Sequence, residues 1–86
     1  MPSAGKPYEG FGRRMKAART LRGLSHKAVA EAIGLTSAAV EKWEQGWGLP
    51  GTPTLMRLCA EVLLVSADWL LFDRADLPHP EQQRPA

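Results

Sequence analysis

The chain predicts an all-α fold of five short helices, and three observations carry this. Apolar residues recur at three- and four-residue spacing in successive stretches, which is the period of a helix face. Gly23, Gly34 and Gly46 punctuate those stretches, and a hydroxyl residue (Ser25, Thr36 or Ser66) stands where the next helix would begin. No stretch alternates apolar and polar residues as a half-buried strand would.

Residues 1–10, MPSAGKPYEG, hold two prolines and two glycines and no periodicity, so they read as a flexible N-terminal arm. Phe11 to Arg22 forms the first helix. Phe11, Met15 and Ala18 at i, i+4 and i+7 face the core, and Arg13, Arg14, Lys16 and Arg22 lie outside that stripe. Gly23 closes the helix, Leu24 enters the core and Ser25 caps the second helix, whose inner face is Val29, Ala30 and Ile33. Gly34 stops that helix, because a residue without a Cβ takes the left-handed conformation cheaply. Leu35 is expected to drop into the core, and Thr36 to cap the third helix through its hydroxyl.

Val40 and Trp43 mark the inner face of the third helix, which leaves Ser37, Ala38, Glu41, Lys42 and Gln45 outside. Gly46 ends it. Trp47-Gly48-Leu49-Pro50-Gly51 is a loop by its glycines and proline. Thr52 then stands as N-cap of a fourth helix with Pro53 in its first turn, and Leu55, Leu58, Cys59 and Val62 form its buried stripe. Ser66 caps a fifth helix with Asp68 near its positive end. Trp69, Leu70, Leu71 and Phe72 follow one another, and one small core cannot bury all four, so some apolar surface is left for a partner. Residues 73–86 carry three prolines and read as a flexible C-terminal tail. The folded domain is thus expected over residues 11–72.

Composition narrows the function. Eighty-six residues make one small domain with an ordinary hydrophobic share of 44%. No strongly apolar run exceeds four residues, as at Val62 to Val65, and nothing resembles a signal peptide or a membrane span. A single cysteine excludes an internal disulfide and suits a reducing cytoplasm. His26, Cys59 and His79 are too few and too scattered for a metal site, and Cys59 on a buried stripe is a structural thiol. No glycine-rich phosphate loop follows a strand and no nucleophile–base pair is set up, so the chain reads as neither an enzyme nor a cofactor binder. The net charge of +2 is unevenly spread: residues 1–42 carry eight bases and three acids, and residues 43–86 carry three bases and six acids. The basic half contains the second and third helices, as a phosphate-facing surface requires. A solvated basic first helix would give the same imbalance.

Gly23-Leu24-Ser25, Val29-Ala30, Ile33-Gly34, Val40, Trp43-Glu44 and Gly46 together resemble the helix-turn-helix of the phage repressor and Cro family, also called the xenobiotic-response-element family. The likeness runs from about Phe11 to Phe72. It implies a five-helix, lambda repressor-like DNA-binding domain whose third helix enters the major groove. It also implies base contacts from Ser37, Ala38, Glu41 and Lys42, and phosphate contacts from Arg14, His26, Lys27 and Gln45. His26 fills the place where the family often has glutamine. An ion pair between Arg19 and Glu44 bridges the first and third helices in this family. Paired half-sites imply a homodimer, here through Trp69, Leu70 and Phe72 of the fifth helix.

Two features depart from the family pattern. Bases usually follow the glycine that ends the third helix, but here Trp47 and Gly48 stand there, so Trp47 either packs onto the domain or remains as an anchor for a partner. The fourth helix usually closes with a glycine. Here Leu63 and Leu64 intervene, and the connection is about one residue longer. The function that follows is sequence-specific binding of double-stranded DNA by a cytoplasmic transcriptional regulator, a repressor acting by operator occupancy. The alternative is a protein-interaction module, such as the antitoxin partner of a small toxin; a helix-turn-helix that no longer binds DNA is the third reading.

Overall fold

The computed structural model describes residues 6–74. Most of the expected arm and tail, His79 included, lies outside these residues. The described chain is all-helical. Its elements are α1 (Glu9–Leu21), α2 (His26–Ile33), α3 (Ser37–Gln45), α4 (Thr52–Arg57) running on into a π-helical segment (Leu58–Val62), and α5 (Ala67–Phe72).

α1 begins two residues earlier than the apolar stripe suggests, so Glu9 and Gly10 belong to it rather than to the arm. No side chain caps its start. The Tyr8 amide instead donates to the Gly46 carbonyl at 3.0 Å, which anchors the beginning of α1 to the end of α3. Ser25, Thr36 and Ser66 each accept a backbone N–H three residues on, at 3.0, 3.2 and 3.1 Å, and so cap α2, α3 and α5. Each such cap contributes about 1 kcal/mol. At α4 the expectation shifts by one residue. Gly51 is the N-cap, Thr52 has already entered the helix, and no side chain caps it.

The core joins Phe11, Met15 and Ala18 of α1 to Val29, Ala30 and Ile33 of α2 and to Val40 and Trp43 of α3. Leu58, Cys59, Val62, Leu63 and Leu70 close it from the other side. Leu24 is half-buried against this cluster, whereas Leu35 is 45% exposed and does not enter it. The turn explains the difference. Gly34 is left-handed (φ 73°), and the Leu35 amide reaches back to the Ala30 carbonyl at 2.9 Å. The contribution of Leu35 is therefore its backbone N–H, which satisfies a helix-end carbonyl while its side chain stays largely in solvent.

The helix widens into a π-helical turn after α4. The Leu63 amide bonds the Leu58 carbonyl five residues back, at 2.7 Å, and this wider turn sets Leu58, Val62 and Leu63 together on the buried side. Leu64 then takes the left-handed conformation (φ 57°) that a glycine would otherwise supply, at a cost of about 1–2 kcal/mol. Arg57 secures the helix sideways, donating from Nη2 to the Ala32 carbonyl of α2 at 2.7 Å.

Candidate nucleic-acid interface

α2, the turn at Gly34 and α3 form two short helices joined at a fixed angle. α1 packs across α3, and α2 packs beside it. The contact between α1 and α3 depends on Gly12. A Cβ built there would lie 2.3 Å from the Glu44 carbonyl oxygen and 2.7 Å from that of Trp43. Gly46 is similarly constrained: its φ is 92°, and a Cβ would sit 2.8 Å from the Glu9 Cα. At these two places backbone approaches backbone, which only glycine allows.

Glu44 is the polar centre of the arrangement, with 5% of its side chain exposed. Arg19 Nε donates to Oε2 at 2.6 Å and Nη2 donates to Oε1 at 3.1 Å, a two-pronged guanidinium–carboxylate pair. Arg19 Nη1 also donates to the Leu24 carbonyl at 2.8 Å, which ties in the connection between α1 and α2. His26, the first residue of α2, places Nε2 3.0 Å from Glu44 Oε1. One carboxylate thus holds α1 and the start of α2 against α3.

The outer face of α3 is open. Ala38, Glu41, Lys42 and Gln45 are exposed, Ser37 is half-buried, and Val40 and Trp43 are buried beneath them. The Lys42 stem passes close to Gly48, where a Cβ would be 3.4 Å from its Cε. Lys27 is exposed on α2, one residue beyond His26. Trp47 is 48% exposed, so it is neither packed away nor fully free.

Arg14 departs from the expected phosphate set. Its Nε donates to the Leu70 carbonyl at 2.9 Å and its Nη2 to the Leu71 carbonyl at 3.1 Å, so it fastens the last turn of α5 to α1. A cation beside helix-end carbonyls is favourable on both hydrogen-bonding and dipole grounds. Leu70 likewise departs from the expected dimer surface: it is wholly buried in the domain's own core. Trp69 is half-buried, and Phe72 is 62% exposed with the Arg74 guanidinium 5.6 Å from its ring centre.

Sequence reasoning missed the roles of Gly12, of Arg14 as a tie to α5, and of His26 beside Glu44. A glycine inside a helical stripe was a usable signal of close backbone approach. The other two had none, because their partners lie far along the chain. Burial pushes the Cys59 thiol up from its ordinary value and keeps it neutral. Among the described residues no three metal-ligating side chains cluster. No helix there is long and apolar enough to cross a membrane.

A family model described as a helix-turn-helix domain matches residues 11–70. The chain is also similar to the SPbeta prophage-derived uncharacterized HTH-type transcriptional regulator YonR of Bacillus subtilis (strain 168), with 39% identity over 61 residues. That match covers 71% of this chain and 56% of the relative, so the chain spans little more than half the relative's length. The five described helices agree with both findings. The chain belongs to the helix-turn-helix family of the phage repressor and Cro, or xenobiotic-response-element, type.

Proposed function

We propose that the protein is a sequence-specific duplex DNA-binding transcriptional regulator that represses by occupying its operator. The exposed outer face of α3, braced from behind by the Arg19–Glu44 pair, is the observation that carries this reading. Ser37, Ala38, Glu41 and Lys42 meet base edges, and His26, Lys27 and Gln45 flank them on phosphate. A serine hydroxyl can donate or accept, an alanine methyl suits thymine, lysine suits guanine acceptors and glutamate accepts from cytosine. With no arginine on this face, shape readout contributes as well.

Selection of bound sites from random duplexes, followed by fluorescence anisotropy at several salt concentrations, tests the reading. Lys42→Ala is expected to flatten the slope of log affinity against log salt by about one if Lys42 touches phosphate. If Lys42 reads a base, the selected site should lose more affinity than scrambled DNA. Ser37→Ala should relax sequence preference by about 1 kcal/mol or less, since one hydroxyl is a weak reader. Selection that enriches nothing, together with a silent Lys42→Ala, would sink the regulator reading.

In the same reading the regulator is a two-fold dimer that places two α3 helices on paired half-sites. Phe72 and the exposed edge of Trp69 supply the contact, and Leu70 has no part in it. Phe72→Glu is therefore expected to shift sedimentation from dimer to monomer, and a wild-type chain that stays monomeric at high concentration refutes the dimer. A second reading, capture of a small protein partner as in an antitoxin, is favoured by the half-exposed Trp47. It expects Trp47→Ala to abolish partner capture while Ser37 and Lys42 variants remain without effect.

A further inference from the structure

We propose that duplex DNA is held by the doubly protonated form of His26, so that binding takes up a proton. This rests on the DNA-binding reading above and adds the protonation state that the site requires. The argument is one of donors and acceptors. Both Glu44 carboxylate oxygens accept from the Arg19 guanidinium, and the side chain is nearly buried. A carboxylate only accepts, so the His26 Nε2 at 3.0 Å from Glu44 Oε1 must carry a hydrogen. In a neutral imidazole the other nitrogen, Nδ1, is then bare and is itself an acceptor.

A phosphate oxygen is also an acceptor. Neutral His26, held in this orientation, would present lone pair to lone pair. Adding one proton turns Nδ1 into a charged donor while Nε2 keeps its bond to Glu44. No hydrogen bond to Nδ1 is found among the described residues, and 35% of the side chain is exposed. The charged groups around the ring point the same way. Arg19 of α1 and Glu44 of α3 cancel as a pair, and Lys27, its neighbour in α2, is basic. The cluster therefore carries one net positive charge with His26 uncharged and gains a second on protonation. A polyanion binds the second state better, and by linkage its binding draws the proton in.

The experiment measures affinity for a selected duplex by anisotropy between about pH 5.5 and 8.5, the range in which imidazole changes charge. Wild-type affinity is expected to fall by up to about tenfold per pH unit as pH rises through that range. His26→Gln, which retains an amide donor and cannot be charged, is expected to show a flat profile. His79, the chain's other histidine, is intact in that variant and serves as the internal control. Calorimetry of the wild type in two buffers of different ionisation enthalpy should count about one proton taken up per bound chain, and does not depend on any variant folding. A flat wild-type profile, a zero proton count, or a slope that persists in His26→Gln overturns the proposal while leaving DNA binding in place. Failure to bind any duplex at any pH removes the DNA-binding reading, and this proposal with it.

Discussion

Gly12→Ala is expected to destabilise the domain by roughly 3–5 kcal/mol. Overpacking a core ordinarily costs about 1–3 kcal/mol, because neighbouring side chains can give way. Here the obstacle is the peptide backbone at the end of α3, with the Glu44 carbonyl oxygen 2.3 Å from the new Cβ and the Trp43 carbonyl oxygen at 2.7 Å. Backbone cannot rotate aside, so α1 must lift from α3 and strip cover from Phe11 and Met15. A loss of roughly 3–5 kcal/mol follows, at the upper end for a single substitution. The helix-propensity gain of alanine over glycine, about 1 kcal/mol, offsets little of it. A small domain holds on the order of 5–10 kcal/mol in total. Chemical denaturation followed by circular dichroism checks this, with Gly51→Ala as control, since a Cβ there meets nothing within 4 Å and the backbone is extended. A Gly12→Ala midpoint within about 1 kcal/mol of wild type contradicts the close-approach argument.

Glu44→Ala is the second large effect, expected to cost about 3–5 kcal/mol. An exposed ion pair would be worth under about 1 kcal/mol. This pair differs because 12% of the Arg19 side chain and 5% of the Glu44 side chain are exposed, so the substitution strands a guanidinium away from water. The loss extends beyond Arg19. His26 loses its carboxylate at the same time, and the start of α2 is no longer tied to α3. Arg19→Lys should recover little, because an ammonium cannot make the two parallel bonds. A double-mutant cycle between Arg19 and Glu44 that shows no coupling would refute the assignment.

Local features of the sequence carried far. The stripes at Phe11, Met15 and Ala18 and at Val29, Ala30 and Ile33 reach the core, and Ser25, Thr36 and Ser66 cap their helices. These are short-range matters, settled by spacing and by hydroxyl chemistry. What stayed illegible depends on three-dimensional choice. Four consecutive apolar residues say that some must face outward, but periodicity within six helical residues does not single out Leu70 as the wholly buried one. Arg14 looked like one more surface base until α5 brought the Leu70 and Leu71 carbonyls beside it, 56 and 57 residues away in the chain. Leu35 was expected inside because it is apolar; the turn needed its amide instead. His26 is legible in the sequence only as a phosphate contact implied by the family, and its Glu44 partner shows once α3 is laid against α2.

The widened turn at Leu58–Val62 bears on how the domain tolerates changes of length. A residue added to a regular helix would rotate everything beyond it by about 100°. Here the wider turn can take up one residue, and α5 still seats Leu70 in the core. The coil works like a spare link in a watch strap: the clasp at each end closes where it should, and the link can be taken out. Ala60 and Glu61 are exposed on that coil, so a one-residue deletion there is expected to spare the buried Leu58 and Val62 and the face of α3.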